Sequence, residues 1–178
     1  MSKVGTAYAQ GLYSLAAEEN LTQSILQQLQ VLEQAFSAEP DFVRLLAAPN
    51  LSKQERCQIL DDSLREKVHP YVLNFLKILT EKGYIRHFSD CCHAYEQQYN
   101  ADHDILVVRA VTAQPMTDAQ QQRLQQKLCE LTGKTVLLKT GIDPDVLGGV
   151  RLDYNGKCVD GTVRNRMEKM RALLQNTV

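Results

Sequence analysis

The chain has 178 residues, of which 44% are hydrophobic and 23% charged, an ordinary composition for a soluble globular protein. No apolar run approaches the roughly 18–20 residues that span a bilayer, and the opening MSKVGTAYAQGLY lacks the continuous apolar stretch of a signal peptide. These features predict a protein of a bacterial cytoplasm, with room for one large domain or two small ones.

Charge is unevenly distributed along the chain. Residues 1–104 carry nine Lys and Arg against fourteen Asp and Glu, whereas residues 105–178 carry eleven against seven. The net charge therefore changes from −5 in the first part to +4 in the second. Such a change is one sign of two separable domains.

Up to about residue 104 the apolar residues recur with a helical period. Between residues 21 and 36 they follow one another at spacings of four, four, three and four. Ser52 and Glu55 have the spacing of a capping box, Pro70 suits the first turn of another helix, and Gly83 suits a helix end. About six helices with short connections are predicted, which is a helix bundle.

After residue 104 the period changes. Residues 105–113, ILVVRAVTA, are rich in β-branched side chains and predict a strand. A capping box at Thr117 and Gln120 predicts a helix, and three strands follow, the last two joined at Asn155-Gly156. The fold class predicted is α+β: a six-helix bundle over 1–104, then an α/β domain with a short mixed sheet over 105–178. The last helix would present one apolar stripe, made of Val163, Met167, Met170 and Leu174.

The pair Gly148-Gly149 raises the question of a nucleotide-binding loop. A phosphate cradle needs glycines between a strand and a helix N-terminus, where free N–H groups face the anion. Here the pair precedes a strand and a hairpin, and the chain has neither GxGxxG nor GxxxxGK[ST]. The pattern favours a bulge or a close backbone approach over a nucleotide site.

A metal centre is not favoured by the His and Cys residues. His87, Cys91, Cys92 and His93 are clustered in sequence, but adjacent residues diverge by about 100° around a helix and do not converge on one ion. The cysteines are five in number, without a CxxC pair, which favours reduced thiols. No cofactor is expected.

Neither catalysis nor nucleic-acid binding is strongly indicated. No Ser/His/Asp or Cys/His arrangement marks a nucleophile, so an enzyme is not expected. The last helix carries Arg164, Arg166, Lys169 and Arg171 against Glu168 alone. A nucleic-acid-binding or general scaffold protein with a basic α/β domain therefore stays open as the alternative, although interleaved aromatic residues are lacking.

Residues 142–174, IDPDVLGGVRLDYNGKCVDGTVRNRMEKMRALL, carry the most specific pattern in the chain. They resemble the C-terminal signature of the delta subunit of bacterial F-type ATP synthase, the homologue of the mitochondrial oligomycin-sensitivity-conferring protein. YAQGLYSLAAEE is similar to the first helix of that family, and LLAAPNLSKQER to its short helix, turn and next helix. The positions matching the C-terminal signature are Asp143, Pro144, Gly148, Gly149, Asp160, Gly161, Thr162, Arg164, Arg166 and Met167.

The resemblance implies a structural role without an active site. In this family an N-terminal six-helix bundle binds the catalytic head of alpha and beta subunits, and a C-terminal α/β domain binds the carboxyl ends of the b subunits. The subunit is part of the stator, which resists the torque of the rotor and so couples proton translocation to ATP synthesis. It lies at the cytoplasmic face of the membrane and touches the membrane only through the complex.

The resemblance also implies which residues contact these partners. An amphipathic N-terminal helix of the alpha subunit would lie in a groove between the first and fifth helices, whose walls include the surface-facing Ala9 and Ile78. Val146, Leu147 and the last helix would contact the b subunits. The groove residues implied are Tyr8, Ala9, Leu12, Tyr13, Ala16, Asn74, Phe75, Ile78, Leu79 and Lys82. A place in the bundle core stays open as the alternative for Tyr8, Leu12, Phe75 and Leu79.

Overall fold

The fold is α+β over the residues that the computed structural model describes, which are 3–48, 51–146, 148–154, 156–163 and 165, the side chains of residues 3 and 4 excepted. These residues form seven α-helices and a four-stranded mixed sheet. The chain divides into two compact units, Met1–Tyr99 and Asn100–Val178. The boundary proposed at 104/105 stays a prediction, and the stripe of the last predicted helix lies outside the described residues from residue 166 onward.

The first unit is helical, and its helices begin and end at recognisable local signals. Asn20, with φ of 56°, follows the first helix, and Gly83, with φ of 75°, follows the fifth. Ser52 Oγ accepts from the Glu55 amide at 3.2 Å while Glu55 Oε2 accepts from the Ser52 amide at 2.7 Å, which confirms the capping box. The helices are α1 (Lys3–Glu18), α2 (Thr22–Ala38), α3 (Pro40–Leu46), α4 (Lys53–Leu64), α5 (Pro70–Glu81) and α6 (Phe88–Asp102).

Two helix starts have local features. A short 3₁₀ helix, Ile85–His87, precedes α6, which begins at Phe88. Pro40 is the first residue of α3. Proline suits this place, because its fixed φ and missing N–H are compatible with a first helical turn.

The described buried residues of the first unit form an apolar core that holds the unit together. Tyr95 on α6 is fully buried, its hydroxyl donates to the Thr22 carbonyl at 3.1 Å, and its ring lies 5.2 Å from that of Tyr13 on α1. Burying each large side chain of this kind stabilises the unit by about 1.5–3 kcal/mol. The core thus joins residues far apart in sequence, and it determines which face of each helix is left to solvent.

In the part that the structure describes, the second unit is a sheet with one helix packed against it. The sheet order is β2-β1-β3-β4, with β1 parallel to β2 and the other neighbours antiparallel. Leu106, Val108 and Val136 are buried in its core, and Leu128 and Cys129 of the helix pack against them. The elements are β1 (Ile105–Thr112), α7 (Asp118–Thr132), β2 (Thr135–Ile142), a 3₁₀ helix (Pro144–Val146), β3 (Val150–Tyr154) and β4 (Lys157–Asp160).

Candidate interaction surfaces

Helices α1 and α5 lie side by side and antiparallel, with a side-chain contact at each end of the pair. Glu19, just after α1, accepts a hydrogen bond from the hydroxyl of Tyr71 at the start of α5. At the other end the rings of Tyr8 and Tyr84, the latter shortly after α5, lie 6.2 Å apart. Because the two contacts join opposite ends of the pair, the helices run alongside each other over most of their length.

Six of the ten residues expected in the α1–α5 groove belong to the bundle core. Ala9, for example, is only 2% exposed, although it was expected on a surface-facing wall. Their stripe on each helix faces the other helices of the bundle. Their contact with a partner stays a prediction, and in the free chain the buried residues are Ala9, Leu12, Tyr13, Ala16, Phe75 and Leu79.

The remaining groove residues lie at the surface and have neighbours that sequence reasoning missed. Ile78 is 44% exposed and Leu15 49%, and an added β-carbon on Gly11 would meet nothing within 4 Å. Tyr8, Gly11 and Leu15 follow one another at spacings of three and four, the period of one helix face, and that period was the available signal. We call this set the α1–α5 surface: Tyr8, Gly11, Leu15, Asn74, Ile78, Lys82 and Tyr84.

In the second unit the pair Gly148-Gly149 packs against Gly161, the glycine of the later Asp-Gly pair. Gly148 and Gly149 have φ of 140° and 85°, and a β-carbon on Gly149 would lie 2.6 Å from the carbonyl oxygen of Gly161. The Gly161 amide donates to the Val150 carbonyl at 3.1 Å, and the Val163 amide donates to the Gly148 carbonyl at 3.0 Å. These contacts confirm the interpretation of a close backbone approach.

Asp160 and Thr162 form a capping arrangement next to that contact. Asp160 Oδ1 accepts from the Thr162 amide at 2.9 Å, and Thr162 Oγ1 accepts from the Asn165 amide at 3.2 Å. A hydroxyl that accepts from the amide three residues later is typical of a helix N-cap. Asp160 and Thr162 of the C-terminal signature thus orient the chain after β4. Arg164 and Arg166, which belong to the same signature, lie outside the described residues.

Asp143 and Pro144 form a turn that buries Val146. Asp143 Oδ1 accepts from the Asp145 amide at 3.1 Å, and the Asp143 amide donates to the Thr112 carbonyl at 2.9 Å. The 3₁₀ helix that follows leaves Val146 only 5% exposed. The expected contact of Val146 with a partner stays a prediction, and Leu147 lies outside the described residues.

An open cleft lies where β1 ends and α7 begins. Its volume is about 610 Å³, and we call it the β1–α7 cleft. Arg123 and Leu124 of α7 line one side, and the glycine pair with Val150 lines another. The remaining lining residues are 112–116 and Gln120.

The His and Cys residues of α6 are occupied by structural contacts. Cys91 and Cys92 are buried, which raises the pKa of the Cys91 thiol to about 11 and that of Cys92 further. His93 faces Glu33 and Glu96 at 3.8 and 3.9 Å. Within the described ranges no three His, Cys, Asp or Glu residues are placed to share a metal ion. In the same ranges, every helix is too short or too polar to cross a bilayer.

Comparison with known proteins gives one consistent result. Residues 4–174 match the family described as "ATP synthase delta (OSCP) subunit". The chain is 31% identical over 171 residues to ATP synthase subunit delta of Alkaliphilus oremlandii, covering 96% of this chain and 95% of that one. It is 29% identical over 176 residues to the same subunit of Clostridioides difficile, covering 98% and 97%.

Solved structures share the fold. A chain in the mitochondrial ATP synthase hexamer of Toxoplasma gondii superimposes with a TM-score of 0.77 over 98% of both chains, at 19% identity. A chain in the F-ATP synthase of Polytomella gives a TM-score of 0.53, at 19% identity, over 57% of this chain and 90% of that one. The T. gondii match extends over both units.

Proposed function

The chain belongs to the ATP synthase delta (OSCP) subunit family, and from this premise we propose that it is the non-catalytic stator subunit of an F-type ATP synthase. In this role it links the catalytic alpha/beta head to the b-subunit peripheral stalk. By resisting rotor torque it keeps proton translocation coupled to ATP synthesis. It acts at the cytoplasmic face of a bacterial cell membrane, where it is held through the complex.

The observation that carries this proposal is the extent of the family match. The match covers residues 4–174, so it includes the six helices of the first unit and the glycine signature of the second. A stator link needs two separate binding surfaces, and the two units supply them with regional charges of opposite sign. The same division supports the assignment of the helical bundle to the head and of the α/β unit to the stalk.

The α1–α5 surface is the proposed site for the N-terminal helix of an alpha subunit. Leu15 and Ile78 provide exposed apolar anchors on neighbouring helices, and Asn74 and Lys82 provide a polar rim. Such a surface fits one apolar face of an amphipathic helix, with the buried residues beneath it acting as a rigid support. Gly11 leaves room for the docked helix to approach the α1 backbone closely.

Reconstitution tests the proposed function directly. Membrane vesicles stripped of their catalytic heads are mixed with purified heads, with or without this protein, and ATP-driven proton uptake is recorded. Heads should bind firmly and pump only when the protein is present, because without it the head turns with the rotor. Equal pumping in its absence would show that the protein is not the stator link.

A further inference from the structure

The start of helix α5 is joined to two other parts of the bundle through residues 69–71. The His69 amide donates to Gln28 Oε1 on α2 at 2.7 Å, and the Tyr71 hydroxyl donates to Glu19, just after α1. The His69 and Tyr71 rings lie 4.9 Å apart, edge to face. We call these residues the α5 latch: Glu19, Gln28, His69, Pro70 and Tyr71. The latch holds the first turn of α5 against α2 and the end of α1.

Within the latch, the His69 side chain is the N-cap of α5. Its Nδ1 accepts a hydrogen bond from the Tyr71 amide at 3.3 Å, and its φ of −62° and ψ of 144° are those of a capping residue. Pro70 has no N–H, so the Tyr71 amide is the first donor of the helix. A backbone N–H can only donate. His69 Nδ1 is therefore the unprotonated nitrogen, and the proton of the neutral ring lies on Nε2.

A proton on His69 is incompatible with this arrangement. The imidazolium ion carries an N–H on both ring nitrogens, so it turns a donor toward the Tyr71 amide and leaves that amide without its acceptor. It also places a positive charge at the N-terminus of α5, where the helix dipole is already positive. Both effects weaken the first turn of α5.

His69 is the group of the latch that changes charge near neutral pH. Histidine is the side-chain type whose charge ordinarily changes between about pH 5 and pH 8. The hydrogen bond to Glu19, with the added charge of Glu18, raises the pKa of Tyr71, so this hydroxyl keeps its proton over that range. Gln28 carries no charge. Among the residues that the structure describes, no ion pair with His69 offsets the loss of the cap.

We propose that the α5 latch is a pH-sensitive switch, in which neutral His69 closes the first turn of α5 onto α2 and the end of α1, and protonated His69 releases it. The latch contributes its full stability at a pH where the ring is neutral, and that stability is lost as the pH falls and the ring binds a proton. The consequence for a partner rests on the proposed function: α5 carries Asn74 and Ile78 of the α1–α5 surface, so acidification loosens the helix on which an alpha-subunit helix docks.

The test uses the full chain and compares the unmodified protein with His69→Asn. The asparagine Oδ1 replaces Nδ1 as the acceptor, and it keeps this role at every pH because asparagine does not titrate. Protection of the Tyr71 amide against hydrogen exchange is measured by NMR at pH 7.5 and pH 5.5, corrected for the intrinsic exchange rate. In the unmodified protein it should fall about fivefold at the lower pH, the effect of a lost N-cap. In His69→Asn it should stay constant.

His93→Gln is the matched control. The ring nitrogens of His93 on α6 face Glu33 and Glu96 at 3.8 and 3.9 Å, so a proton on this histidine strengthens its contacts. This variant should therefore keep the pH response of the Tyr71 amide. A His93→Gln variant without that response would assign the switch to His93 and overturn the proposal.

Nitrogen chemical shifts of the His69 ring give an independent readout, and at pH 7.5 they should show the proton on Nε2. A proton on Nδ1 at that pH, or equal protection of the Tyr71 amide at both pH values, would overturn the proposal. Both results are read on the unmodified protein, so they do not depend on how the variants fold. An undiminished pH response in His69→Asn would overturn it as well. None of these measurements involves a partner, so the reconstitution with catalytic heads tests the stator role separately.

Discussion

A β-carbon on Gly149 would lie 2.6 Å from the carbonyl oxygen of Gly161, a distance that real β-carbons do not adopt. We therefore expect Gly149→Ala to lower the free energy of unfolding of the second unit by about 3 kcal/mol or more, from the left-handed φ and the backbone clash together. Urea denaturation followed by circular dichroism measures the loss, and amide hydrogen exchange assigns it to a unit.

Gly156 provides the matched control for that prediction. It has φ of 73°, close to the 85° of Gly149, but an added β-carbon would meet nothing within 4 Å. Gly156→Ala should therefore lower the free energy of unfolding by about 1 kcal/mol, the contribution of the left-handed φ alone. Equal losses in the two variants would mean that the contact with Gly161 contributes nothing.

Ile78→Glu should prevent an alpha-subunit helix from docking without unfolding the bundle. The side chain is 44% exposed, so a carboxylate reaches solvent in the free protein but would be buried under an apolar helix. Binding of a peptide with the N-terminal sequence of the cognate alpha subunit should weaken at least about tenfold. Val31→Glu is the control, because Val31 on α2 is 65% exposed and lies outside the α1–α5 surface. Similar binding by the two variants would assign the alpha helix to another surface.

Ala9→Glu should unfold the first unit instead of blocking a surface. Ala9 is buried against the bundle core, so the substitution places a charge and extra volume where neither can be accommodated. The loss should exceed about 3 kcal/mol, whereas Ala7→Glu, at an exposed position two residues earlier, should stay within about 0.5 kcal/mol. Thermal denaturation of the two variants, followed by helical circular dichroism, makes the comparison. A stable Ala9→Glu variant would show that the side chain at position 9 can face solvent.

Cys158 should react faster with a thiol reagent when Asp153 is replaced by asparagine. A hydrogen bond from the thiol to Asp153 raises the pKa of Cys158, so the unmodified protein holds less thiolate at a given pH. Asp153→Asn removes the carboxylate, lowers that pKa and moves the rise in reactivity to lower pH. Labelling rates followed by mass spectrometry from pH 7 to pH 10 should show this shift. Cys91 and Cys92 are the internal control, because both should stay unlabelled until the protein unfolds. A pH profile of Cys158 that is the same in both proteins would contradict the role of Asp153.

Limited proteolysis should separate the two units near residues 101–104. These residues are exposed, and Asp104 has φ of 52° just before β1. An endoproteinase that cleaves before aspartate should cut first at Asp102 or Asp104, giving two stable fragments identified by mass spectrometry. Earlier cleavage at Asp41, Asp61 or Asp90 would count against a boundary at this position.

Much of the fold could be predicted because its signals are local. The capping boxes at Ser52 and Thr117 each depend on a hydroxyl and an acceptor three residues later, and both form as expected. The end of α7 at Gly133, with φ of 67°, depends likewise on a single residue type.

The candidate surface could be predicted only in part, because burial depends on partners far along the chain. Leu12 and Leu15 are equally apolar, yet the first is buried and the second exposed. The difference arises from the packing of α1 within the bundle. No residue close to either leucine in the sequence indicates which of the two this packing buries. Val146 is a similar case, since a 3₁₀ helix after β2 places it in the interior.

The antiparallel pairing of α1 with α5 also constrains how the chain is made. The hydrogen bond between Glu19 and Tyr71 closes a separation of 52 residues, so α1 cannot pack against α5 until the whole of α5 has left the ribosome. Closing a loop of this length carries an entropic cost that grows slowly with length and that local contacts do not offset. Helix α1 is therefore synthesised well before it can pack against α5, and during that interval the apolar surface that α5 will cover is open to chaperones.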